Sequence, residues 1–283
     1  MNHWNPFPYD NSAFAYAGGS LQMAWDQLHA GDRVPYPEAR MIMQVIERHP
    51  NAAPRAFDGD LNLLAARLQD AWRAFHAGEF QSAVELGSLC GAFGYAVSNK
   101  TCGIYASYLE TDEKRRAGIF LEAVNRGETA MAILPEDPNS FYFHAFNLGR
   151  YSQSVSVMNA LRQGIGGTIH ESLSRTLELE PDHAEAHTAF GLYHAEIVNK
   201  VGRMIGSMTY GASADRAIEH FDRAIELTPE SPIAHIEYGN GLYLLFGDKR
   251  LDEVTDLYVK ASEMQPRDAM EKLDVESALT ELE

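Results

Sequence analysis

Cysteine is nearly absent, with only Cys90 and Cys102 in 283 residues. Two cysteines make neither a disulfide framework nor a metal set, so reduced structural thiols in a cytoplasmic protein are the expectation. Basic residues are also scarce: 23 Lys plus Arg stand against 40 Asp plus Glu, a formal net charge of −17. Such a chain is repelled by a phosphate backbone, which excludes nucleic acid as the expected partner and favours a basic peptide or basic protein surface. No stretch reaches the roughly 18 apolar residues that a membrane span needs. The opening residues, MNHWNPFPYDNSAF, lack a basic start, an apolar stretch and a small-residue cleavage site, so no secretory signal is expected. What the chain does have is 45% apolar residues with 22% charged, enough for a long continuous core and too apolar for a disordered segment.

Internal repetition organises the rest. Residues 171–182, ESLSRTLELEPD, match residues 219–230, EHFDRAIELTPE, at an offset of 48, and the same offset carries His187 onto His235 and Gly191 onto Gly239. Pro135, Pro181, Pro229 and Pro266 each follow an apolar run. Proline cannot continue a helix and pushes its predecessor out of the α region, so each marks the end of the second helix of a pair. Ahead of the prolines lie Ala123, Gly127, Ala130; Ile169, Leu173, Thr176; Ala217, Phe221, Ala224; and Val254, Tyr258, Ala261. Each set shares one helix face. A weaker echo at an offset of 47 carries Gln22, Trp25, His29, Ala30, Gly31 and Asp32 onto Gln69, Trp72, His76, Ala77, Gly78 and Glu79. There each glycine is expected to cap a helix in the left-handed conformation. Residues 1 to 14 read as an arm that packs on a neighbour or frays.

Small residues at the helix crossings, Ala145, Gly191 and Gly239, with Phe141, Phe190, Phe221 and Tyr238 around them, resemble the tetratricopeptide consensus over roughly residues 65 to 270. In that family two helices per 34 residues pack small side chains into large ones. The resemblance implies an all-α fold, an α-solenoid of tetratricopeptide-like helix pairs whose first helices line a concave face. Residues 1–55 are expected to hold the arm and a degenerate helix pair, 56–270 the array, and 271–283 a C-terminal helical tail.

The prolines are spaced 46, 48 and 37 residues apart, so two repeats exceed the family period by about 12 and 14 residues. The second helices are intact, which places the extra length after the first helix of each pair, at about 149–168 and 195–213. Residues 149–168 and 197–214 lack Asp and Glu; the first stretch carries Arg150 and Arg162, the second Lys200 and Arg203. Each adds apolar side chains, Val155, Val157, Met158 and Leu161 in the first, Val198, Val201, Met204, Ile205 and Met208 in the second, and each ends in glycines. Methionine adapts well to binding surfaces. Arg150, Met158, Arg162, Lys200, Arg203, Met204, Met208 and Tyr210 are therefore the candidate partner-binding or ligand-binding residues. Thr168 with Glu171 reads as a capping box that restarts the helix.

Elongated first helices followed by inserts resemble two groups, the regulator of microtubule dynamics family and the T component of TRAP-type transporters. This sequence has neither the lipobox cysteine of the second nor the membrane segment of some members of the first. Other motifs point elsewhere and fail on spacing. His183, Glu185 and His187 form H-x-E-x-H, whereas zinc peptidases need Glu directly after the first His. GIGG at 164–167 lacks the Lys-Ser/Thr of a phosphate loop and follows a helix, so it reads as a turn. His144, His194 and His220 read as helix-face residues. No nucleophile, paired acid and base, metal set or cofactor motif stands out, so the protein is expected to be no enzyme and to need no cofactor.

The function expected is a non-enzymatic scaffold that binds a protein or peptide and self-associates through its apolar inserts. The alternative is a carrier or sensor of a small anionic or amphipathic ligand held between the inserts, as a transporter-associated component.

Overall fold

A computed structural model of the chain describes residues 3–155, 159 and 162–283, without the side chain of Arg55. Among these residues every regular element is helical. Val157, Met158 and Leu161 of the first insert lie outside the described residues. The chain divides into two compact units, one formed by Met1–Gln27 with Val34–Val155 and the other by Leu28–Arg33 with Ser156–Glu283.

The first unit contains α1 (Ser20–Leu28) except for its last residue, α2 (Ala39–Arg48), α3 (Leu61–His76), α4 (Phe80–Leu89), α5 (Tyr95–Tyr108), α6 (Glu113–Ile133) and α7 (Pro138–Val155). Helix α3 pairs with α4 and α5 with α6, and α7 lies along α6 and α5. Asp60 and Asp112 start α3 and α6 by accepting the N–H groups of Leu63 (3.0 Å) and Arg115 (2.8 Å), which satisfies donors that have no intrahelical partner. Helix α2 packs on α3. Trp25 of α1 is buried edge-on against Trp72, and its indole N–H donates to the Val34 carbonyl at 2.7 Å. The repeat echo here is only half realised. Gly78 is left-handed at φ +78°, but Gly31 is not, and Arg33 takes the positive φ instead, at +55°.

The second unit contains α8 (Ile165–Leu179), α9 (Ala184–Val201), α10 (Arg203–Tyr210), α11 (Ala214–Leu227), α12 (Pro232–Phe246), α13 (Leu251–Ser262) and α14 (Ala269–Leu282). Pro135, Pro181, Pro229 and Pro266 all fall in the links that follow α6, α8, α11 and α13, where the sequence places them. Repeat-equivalent residues also do equivalent work. Arg175 pairs with Glu178 at 3.0 Å and Arg223 with Glu226 at 2.7 Å, one pair per repeat at the 48-residue offset. A Cβ on Gly191 would meet the Phe221 ring at 2.7 Å, and one on Gly239 would meet the Tyr258 ring at 3.1 Å. Glycine at both sites lets the first helix of a pair lie against an aromatic ring of the second. Gly241 of α12 closes on the opposite edge of Phe221, where a Cβ would come within 2.3 Å.

Two expected boundaries move. The capping box is not formed, because α8 already begins at Ile165, behind Gly164 at φ +78°. Left-handed Gly164 turns the chain four residues before Thr168 and leaves that threonine inside the helix. Helix α9 likewise runs on to Val201, since Ile197 and Val198 are buried and continue its core face. The second insert is therefore shorter than its sequence limits and starts at Gly202.

Candidate functional site

Helix α10 is that second insert. Gly202 (φ +82°) precedes it and Gly211 (φ +62°) follows it, both in a conformation that side chains with a Cβ rarely adopt. Its one buried residue is Gly206, whose missing Cβ would lie 3.6 Å from Ile197 of α9 and from the Ala212 carbonyl. The return is fixed by Ala212 N–H donating to the Gly206 carbonyl (3.0 Å) and Arg216 donating to that of Gly211 (3.1 Å). Glycine thus anchors one face, and the other is left in water. Met204 is 74% exposed, Ile205 52% and Met208 83%. Positions 204 and 208 are one turn apart, and 205 lies beside them, so the three make a single apolar stripe.

Lys200 and Arg203 are exposed at the head of this stripe and make no ion pair with any described residue. Tyr210 is half-buried at its foot. Lys200, Arg203, Met204, Met208 and Tyr210 are thus brought together on eleven consecutive residues. The first-insert candidates are placed differently. Arg150 belongs to the other unit, half-buried with its guanidinium 5.7 Å from the Phe146 ring centre. Arg162 is exposed, and Met158 lies outside the described residues.

The histidines that invited a metal reading are structural. His183 is buried and caps α9, its Nδ1 accepting the Ala186 N–H at 3.0 Å. His187 places Nε2 3.0 Å from the Pro181 carbonyl and Nδ1 2.9 Å from Nδ1 of His220. A carbonyl only accepts, so Nε2 of His187 carries the proton and its Nδ1 accepts from the His220 N–H. His220 also stacks on Phe190 (4.7 Å) and His194 (5.6 Å), and His170 meets Phe190 edge-on at 5.2 Å. Burial first, and then a neighbouring imidazole, pushes His194 down to about 3 and His220 down to about 4. Burial also lowers His187 and His170. These rings are therefore neutral aromatic packing at pH 7. No group of three or more His, Cys, Asp or Glu among the described residues could hold a metal ion. Cys90 and Cys102 are free and buried, and burial pushes the Cys90 thiol up to about 12.

Sequence reasoning did not find Lys100. It is 2% exposed, with its ammonium 5.8 Å from the Phe75 ring centre and 5.9 Å from that of Phe143. The ammonium and the two rings come from three separate helices, and no local motif announces them.

Comparison with known proteins agrees with this architecture. The family model described as regulator of microtubule dynamics protein 1-3 matches residues 96–278. That is more than half of the chain, and the chain belongs to this family. A crystal structure of a thermophilic TPR protein from Thermus thermophilus is similar at a TM-score of 0.55 and 20% identity, covering 77% of this chain and 99% of that one. At that identity the likeness is one of fold, which is an all-α, tetratricopeptide-like solenoid of helix pairs. Among curated proteins no relative matches. No helix among the described residues is long and apolar enough to cross a membrane.

Proposed function

We propose that the protein is a non-enzymatic scaffold that docks a protein partner through α10. One observation carries this reading: a short helix bounded by glycines of positive φ presents Met204, Ile205 and Met208 to water beside Lys200 and Arg203. Apolar side chains of this size lose roughly 1.5–3 kcal/mol each by staying exposed rather than buried. A fold that buries Gly206 and exposes these three retains them for an outside surface. Methionine also lets such a surface adjust to its partner.

The sign of charge refines the partner. Overall the chain is at −17, but screening limits exposed charges to about 8 Å at physiological salt. At contact range Lys200 and Arg203 dominate. The occupant expected is an amphipathic helix with an apolar stripe and flanking carboxylates, on a protein that is not itself strongly acidic. Affinity purification from native lysate, with the wild-type chain beside a Met204→Ser, Met208→Ser, Arg203→Glu variant, tests this. The variant is expected to keep its helical circular dichroism and lose a partner that the wild type retains. Identical sets of captured proteins would remove the assignment.

A further inference from the structure

The N-terminal arm, residues 3–16, lies on the first unit in a manner that only partly resembles packing. Backbone N–H groups of Trp4 and Asn5 donate to side chains of the array, to Gln81 Oε1 at 3.2 Å and to the Tyr105 hydroxyl at 3.0 Å. The Trp4 indole stacks on the Tyr105 ring with centres 3.9 Å apart, and Phe7 meets Phe80 edge-on at 6.4 Å. Two asparagine amides complete the contact. Asn5 Nδ2 donates to the Leu109 carbonyl and Asn11 Nδ2 to the Ala77 carbonyl, both at 2.8 Å. Leu109 and Ala77 are the C-caps of α5 and α3, where helix carbonyls run out of intrahelical donors.

This is how a grooved surface reads a peptide: side chains hold the peptide backbone, one ring holds an aromatic residue, and unsatisfied helix ends select amide donors. Most of the arm stays exposed even so, with Pro6, Pro8, Asp10, Ser12 and Ala13 facing water. It joins α1 through Tyr16 at φ +38° and Gly18 at φ +59°. For a tyrosine that conformation is uncommon, and the Arg73 guanidinium holds the turn by donating to the Tyr16 and Gly18 carbonyls, both at 3.2 Å.

We propose that the surface formed by Gln81, Phe80, Tyr105, Leu109 and Ala77 is a docking site for an extended peptide of aromatic–Asn–Pro–aromatic character with a second Asn six residues after the first. The N-terminal arm fills it as an intramolecular ligand. This site is separate from α10 and stands whether or not α10 binds a partner.

The test uses the full chain and a labelled synthetic peptide of residues 3–16, followed by fluorescence anisotropy. A short tether holds the arm at an effective concentration on the order of millimolar, so the wild-type chain shields its own site. The full chain carrying Trp4→Ala and Asn5→Ala is expected to bind the peptide at least about tenfold more tightly than wild type does. Adding Tyr105→Phe, which removes only the hydroxyl, is expected to weaken that binding several-fold. A peptide bearing Trp4→Ala and Asn5→Ala is expected to bind at least about tenfold more weakly, a control independent of how the protein variants fold. Equal binding by the wild-type and arm-weakened chains, or indifference to the peptide substitutions, overturns the proposal. So does a concentration-dependent dimer that exchanges arms while excluding the peptide.

Discussion

Replacing Gly191 by alanine pits two effects of known size against each other. In a helix interior alanine is favoured over glycine by about 1 kcal/mol, so propensity alone makes Gly191→Ala stabilising. The new methyl, however, would sit 2.7 Å from two atoms of the Phe221 ring and 2.9 Å from a third. The ring cannot retreat, because the α12 backbone at Gly241 closes its far edge and Tyr238 stacks on it at 5.0 Å. Overpacking of a confined site costs about 1–3 kcal/mol or somewhat more, and this ring has no free side. We take about 3 kcal/mol, which leaves a net loss of about 2 kcal/mol. Urea unfolding followed by circular dichroism measures it. Gly118 of α6 is the control: it is exposed and a Cβ there meets nothing within 4 Å, so Gly118→Ala should gain about 0.5–1 kcal/mol. Phe221→Leu combined with Gly191→Ala should lose less than the two single changes added together. A Gly191→Ala protein as stable as wild type would refute the reasoning, because helix propensity would then have outweighed the close packing.

Acid should loosen the second unit. His194 and His220 are held below their unfolded value, so the stability they confer is complete above about pH 6.5 and lost as pH falls toward 4 and 3. With up to two protons taken up on unfolding, the slope is about 1–3 kcal/mol per pH unit between pH 6 and 4. Urea midpoints across that range check it, and a flat profile, or one unchanged in His220→Asn, would be the contrary result. In the first unit Trp25→Ala should cost about 3–5 kcal/mol, visible as a lower denaturation midpoint. A loss below 1 kcal/mol would mean that Trp25 contributes little to holding α1.

The features legible in the sequence are those whose physics is local. Proline ends a helix whatever surrounds it, so Pro135, Pro181, Pro229 and Pro266 place four links from chemistry within a turn. The 48-residue match extends this to packing, since Gly191 and Gly239 each face a ring from the second helix of their pair. Where spacing stood in for conformation, the reading failed. Gly31 occupies the place of Gly78 without its left-handed φ, and Thr168 has a capping partner in sequence but an earlier glycine already starts the helix. For the second insert, composition located the Met and Arg cluster, while its start depended on Ile197 and Val198 being buried. The arm site was invisible for a plain reason. Trp4 and Asn5 meet Gln81, Tyr105 and Leu109, 77 to 104 positions away, and none of the three carries a pattern of its own.

Helix α10 leaves and rejoins its repeat at glycines, and α9 and α11 pack directly on each other behind it. Its length is therefore nearly decoupled from the stability of the stack, since doubling a connecting segment adds only about 0.6 kcal/mol of closure cost. Evolution or an engineer can exchange the segment between the two glycines as a cassette, changing what the protein recognises while the helices that carry it stay as they are.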